Sequence, residues 1–125
     1  MRILCISNDD QLLSAVKNEI DSSQNEISNY EAKPDPLEVM STVCSMSPRI
    51  VIIDDDVLKP NSAKILNSIK KVNPNIKIIF FTSDSGLELG REISPLGVLY
   101  YGLKPISDME ITSLFKSINK IENVT

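Results

Sequence analysis

Histidine is absent from this chain of 125 residues. That absence removes imidazole general bases, histidine-containing catalytic triads and most zinc sites in one step. Only two cysteines occur, Cys5 and Cys44, and they lie at no metal-binding spacing. Free cysteine is often buried as a small hydrophobe, so both are expected as reduced core residues, Cys5 in a strand and Cys44 on the apolar side of a helix. Glycine is scarce as well, and none of the four follows the first apolar run. A flavin- or nucleotide-binding enzyme would want a glycine- or hydroxyl-rich phosphate cradle there. The loop is acidic instead, which repels phosphate unless a metal intervenes. Positive charge is not in excess either. A net charge of −4 argues against direct nucleic-acid binding, which needs a basic face. Lys59, Lys64, Lys70, Lys71 and Lys77 read as the solvated surface of a helix and its flanks. No apolar run reaches membrane-spanning length and no secretory leader pattern opens the chain. The expected compartment is the cytoplasm, where the sequon Asn123-Val124-Thr125 carries no meaning.

What is present is a regular alternation of strand and helix patterns. A hydrophobic share of 42% and a charged share of 24% fit one globular domain over residues 1–125. Ile3-Leu4-Cys5-Ile6 is a strand, and Leu12, Leu13, Val16 and Ile20 repeat at helical spacing behind it. Ile27 to Ala32 reads as a weaker edge strand. Pro34 and Pro36 open a helix through Met46 with Leu37, Met40, Val43 and Cys44 on its apolar side. Ile50-Val51-Ile52-Ile53 is a run of β-branched residues, the pattern of a strand buried on both faces. Pro60 and Asn61 open a helix carrying Ile65, Leu66, Ile69 and Val72. Ile76 to Phe81 is the next strand, and Ser85 to Ile93 is a helix weakened by Gly86 and Gly90. Val98 to Tyr101 is the last strand, before an amphipathic helix from Asp108 with Ile111, Leu114, Phe115, Ile118 and Ile121 on one side. Five uninterrupted βα units predict an α/β fold, a flavodoxin-like five-stranded parallel sheet in the order 2-1-3-4-5 with helices on both faces.

Such a sheet binds ligands at the carboxyl ends of its strands, and polar residues gather at those ends. Ser7-Asn8-Asp9-Asp10 follows the first strand, Asp54-Asp55-Asp56 the third, Thr82-Ser83-Asp84 the fourth and Lys104-Pro105 the fifth. Plain structural roles are open for several of them. Asp9 and Asp10 suit a helix cap as well as a metal site, Lys104 suits a snorkelling surface position, Thr82 suits a strand end, and Tyr101 suits core packing.

These residues together resemble the response-regulator receiver domain of two-component signalling over essentially the full chain. Pro48-Arg49-Ile50-Val51-Ile52-Ile53-Asp54 matches the family's acceptor pattern, which gives Asp54 the phospho-acceptor position. Thr82 matches the family's hydroxyl residue, and Tyr101-Gly102-Leu103-Lys104-Pro105 matches its switch aromatic, lysine and proline, the bond before Pro105 being typically cis. The resemblance implies a non-enzymatic signalling role. Asp54 would accept a phosphoryl group from a sensor histidine kinase or phosphotransfer protein. Thr82, Lys104 and Tyr101 would bind the group and relay the change to a downstream target or attached output domain. It implies Mg²⁺ held near Asn8, Asp9, Asp54 and the backbone carbonyl of Asp56, and a partner or homodimer surface on the last two helices. The chain also departs from the family. Ser7 and Asn8 stand where two acids are usual, which should weaken Mg²⁺ binding, and Asp55-Asp56-Val57-Leu58-Lys59-Pro60 replaces the usual Met-Pro and Gly run. A degenerate receiver, working as a phosphorylation-independent interaction module, is the alternative that these departures support.

Overall fold

The computed structural model describes residues 2–20, 26–30 and 35–123. Its strands are β1 (Arg2–Ile6), β2 (Glu26–Tyr30), β3 (Ile50–Asp54), β4 (Lys77–Thr82) and β5 (Tyr100–Leu103). They form one five-stranded sheet in the order β2-β1-β3-β4-β5, and every pairing is parallel. The helices are α1 (Asp10–Glu19), α2 (Pro36–Met46), α3 (Asp55–Leu58), α4 (Ser62–Val72), α5 (Leu87–Ile93) and α6 (Asp108–Asn123), with a 3₁₀ turn at Ser94–Leu96.

Side chains alternate between the two faces of a strand, and the central strands show this as two separate cores. Leu4, Ile6, Val51, Ile53, Ile78 and Phe80 pack on one face with Val39 and Val43 of α2, Ile65, Leu66 and Ile69 of α4, and Ile93 of α5. Ile3, Cys5, Ile50, Ile52, Ile79 and Phe81 pack on the other with Leu12 and Val16 of α1 and Ile111, Phe115 and Ile118 of α6. Full burial of each such side chain is worth about 1.5–3 kcal/mol. The β-branched run of β3 is buried throughout because helices cover it on both sides.

Local chemistry sets the helix ends. Asp9 caps α1 by accepting the backbone N–H groups of Gln11 and Leu12. Asp35 caps α2 through Leu37 N–H, with Pro36 in the first turn. Asp54 caps α3 through Asp56 N–H. Each accounts for N–H groups that a helix start leaves without intrahelical partners.

Several sequence expectations are corrected. Cys5 is buried, but Cys44 is exposed, and on α2 the core side is Val39 and Val43 while Leu37 is 82% exposed. A helix advances about 100° per residue, so the side of α2 that meets the sheet through Val39, Val43 and Met40 turns Leu37 and Cys44 toward solvent. Val72, expected on the apolar side of α4, is exposed. β5 begins at Tyr100 rather than Val98, and α4 begins at Ser62, after the extra turn of α3. Ala32, Pro34, Val124, Thr125 and the side chain of Ile121 lie outside the described residues.

Candidate functional site

Strand register decides which polar residues can meet. Ile6 pairs with Ile53, so Ser7 runs beside Asp54. Asp54 pairs with Phe81 and Thr82 with Leu103. By the alternation of strand faces, Ser7, Asp54 and Lys104 emerge on the α1/α6 side, whereas Thr82 and Tyr101 emerge on the α2/α4/α5 side.

The first polar cluster forms around Asp54, which is 1% exposed. Its Oδ2 accepts from Ser7 Oγ at 2.8 Å and from Lys104 Nζ at 2.9 Å, and its Oδ1 accepts from Asp56 N–H at 3.1 Å. A buried carboxylate needs such donors, because an unpaired one is strongly disfavoured. Ser7 is itself buried, and its Oγ accepts the N–H of Asp9 at 3.0 Å. Lys104 Nζ also lies 3.1 Å from Asp9 Oδ2 and 3.1 Å from Asp56 Oδ2. One ammonium therefore serves three carboxylates. Asp56 in turn accepts from Ser83 Oγ at 2.5 Å and from Ser83 N–H at 3.3 Å.

The titration of these groups follows from the contacts. Burial works against the charged form of Lys104, but hydrogen bonds to Asp54, Asp9 and Asp56 outweigh it and raise the ammonium above its ordinary value. Burial would raise the Asp9 carboxyl, yet the N–H of Leu12 and Lys104 hold it below the usual range. Asp56 is lowered in the same way, by Ser83 and Lys104 against burial.

The second cluster lies across the sheet rim. Asp55, 3% exposed, accepts from Ser62 Oγ at 2.6 Å and from Thr82 Oγ1 at 2.8 Å. Thr82 Oγ1 also accepts the N–H of Asp84 at 3.0 Å. Tyr101 stacks on Phe80 with ring centroids 5.2 Å apart. Burial first, then the charges of Asp55 and Asp84, raises its phenol above the ordinary value.

The structure thus brings Asp54, Lys104, Asp9 and Asp56 together, and it sends the Thr82 hydroxyl to Asp55. Asn8 is exposed, and the neighbouring Ser7 makes the contact to Asp54. The Lys104–Pro105 peptide is cis, as is Lys59–Pro60. Sequence reasoning assigned no role to Ser7, to the side chain of Asp56, or to Asp55 with Ser62. The parity of Ser7 after β1 was the available signal for the first, and the others depend on register between distant strands. The oxygen donors suit a hard dication such as Mg²⁺ in kind, but the carboxylates converge on Lys104. Among the described residues, no three acids are placed to hold a metal ion between them. A groove of about 420 Å³, lined by Asp9, Leu12, Lys104, Pro105 and Asp108 among others, opens beside the cluster. Among the described residues, no helix is long and apolar enough to cross a membrane.

Solved structures share this architecture. The chain is similar to a CheY-like response regulator receiver domain protein from Methanospirillum hungatei, with a TM-score of 0.78 at 18% identity, covering 99% of this chain and 98% of that one. A response regulator receiver domain protein from Clostridium thermocellum gives a TM-score of 0.71 at 23% identity, covering 99% and 98%. A response regulator from Thermotoga maritima gives 0.75 at 17%, covering 96% and 95%. No protein-family model and no curated protein matches the sequence. The chain has the response-regulator receiver fold over nearly its whole length.

Proposed function

We propose that this protein is a receiver in two-component signalling that accepts a phosphoryl group on Asp54. The donor is a histidine kinase or a phosphotransfer protein. The observation that carries the reading is Asp54 at the carboxyl end of β3, with Lys104 2.9 Å from its Oδ2. In the reaction an Asp54 oxygen attacks phosphorus, the phosphorus–nitrogen bond of the donor's phosphohistidine breaks, and the imidazole leaves with its electron pair. Catalysis of this kind rests on positioning and charge neutralisation. Lys104 supplies a fixed positive charge beside the new acyl phosphate, and Ser7 orients the carboxylate. Mg²⁺, when bound, supplies further neutralisation of phosphoryl oxygens, and Asp9, Asp54, Asn8 and the Asp56 carbonyl are its expected ligands. Lys104 already neutralises that cluster, so the ion is expected to bind weakly. Exposed Leu87, Leu103 and Met109, on α5, β5 and α6, support a partner or homodimer surface there. A downstream protein or an output domain in the cytoplasm would read it.

A second reading, an interaction module that works without phosphorylation, is favoured by Ser7 and Asn8 in place of acids and by the depth of Asp54. One experiment separates the two. Incubation with acetyl phosphate and Mg²⁺ is expected to add one phosphoryl mass to the protein, and Asp54→Asn is expected to abolish the addition. An unmodified wild-type protein would reject the first reading in favour of the second.

A further inference from the structure

Thr82 has one hydroxyl proton to give, and Asp55 receives it at 2.8 Å while the Asp84 N–H fills the acceptor side at 3.0 Å. The proton of the hydroxyl is therefore committed on the face of the sheet opposite Asp54. The other oxygen of Asp55 takes the proton of Ser62 Oγ at 2.6 Å, and Ser62 is the first residue of α4. Among the described residues, the side chain of Asp55 meets these two hydroxyls and no cation. A carboxylate that deeply buried without a counter-ion is costly. Helix capping does not account for it, since Asp54 caps α3.

We propose that Asp55 is a positioning residue that holds the Thr82 hydroxyl away from Asp54. Its consequence for signalling rests on the receiver reading above, whereas its geometry does not. A phosphoryl group on Asp54 gains Thr82 as a donor only when the Asp55–Thr82 bond opens. The chain thereby carries its own opposition to the phosphorylated arrangement.

The test uses the full chain with labelled threonine methyl groups, reading the Thr82 χ1 rotamer from three-bond couplings. A single rotamer is expected in the wild type and in Ser62→Ala, and rotamer averaging is expected in Asp55→Leu. Asp55→Asn keeps the shape but not the charge-assisted bond, and it is expected to average to a smaller degree if Asp55→Leu does not fold. Unchanged rotamer populations in every folded Asp55 variant would overturn the proposal. Beryllofluoride with Mg²⁺ then probes the consequence. A hydroxyl–carboxylate bond is worth about tenfold or more in an equilibrium constant, so Asp55→Leu is expected to bind the probe about tenfold tighter. Ser62→Ala is expected to bind no tighter than wild type. Equal gains in both variants would show general loosening and overturn the positioning role. A wild type that takes no beryllofluoride would count against the receiver reading alone, and the rotamer result would still decide the role of Asp55.

Discussion

Cys5 lies among Ile3, Ile50 and Ile52 in the core beneath α1 and α6, and burial, assisted by the charge of Asp54, pushes its thiol up to about 12. The thiolate is the reactive form. Cys44 sits in the open on α2. Iodoacetamide at mildly alkaline pH is therefore expected to modify the folded protein once, at Cys44, with Cys5 reacting only after unfolding. Rapid double modification detected by mass spectrometry would contradict this placement. At the same scale, Asp54 and Lys104 were legible in the sequence because each stands where a strand pattern ends and charge begins. The destination of the Thr82 hydroxyl was not. Alternation gives the face of a strand-end residue, but the partner it meets there depends on register with a strand many residues away, and no local pattern encodes the match of Asp54 with Phe81.

Among the elements, β3 and α6 were plain from their patterns, one a β-branched run and the other an apolar stripe at helical spacing. For α2 the expected apolar side held Leu37, Met40, Val43 and Cys44, whereas the side docked on the sheet holds Val39 and Val43 with Met40 packed beside them, and only docking on the sheet fixes that rotation. For β5 the apolar residues Val98 and Leu99 precede the strand, which starts at Tyr100. The interior of β5 also contains Gly102, and its reason is steric. A Cβ there would come within 2.8 Å of ring carbons of Phe81 and of Tyr100. Overpacking of this kind costs about 1–3 kcal/mol, so Gly102→Ala is expected to lower the urea midpoint accordingly. An unaltered midpoint would mean that the two rings turn aside freely.

For the molecule as a whole, the Lys104 cluster sets how stability depends on pH. Asp9 and Asp56 are held below their ordinary value of 3.8. A lowered carboxyl contributes stability that is present above its unfolded value and lost as pH falls through the folded one. Lys104 is raised above 10.5, so its contribution is present below that value and lost as pH rises through the folded one. A plateau between roughly pH 4 and pH 9 is expected, with a falling acid limb and an alkaline limb that Cys5, raised from 9.0, begins before Lys104 does. Lys104→Gln is expected to lower the plateau, because it leaves buried Asp54 without its cation. It should also flatten the acid limb, since fewer protons are taken up on unfolding. Urea titrations across pH would check both effects, and an acid limb parallel to that of the wild type would refute the second.

The division of the central strands between two helical layers has a consequence for variation in this chain. Substitution within β3 alters one contact, but inserting or deleting one residue between Ile50 and Asp54 reverses every side chain downstream of the change. Asp54 would then leave the face that holds Ser7 and Lys104, while the apolar side chains of β3 beyond the change would exchange one core for the other. Length polymorphism should accordingly be confined to the connecting segments and be excluded from the central strands.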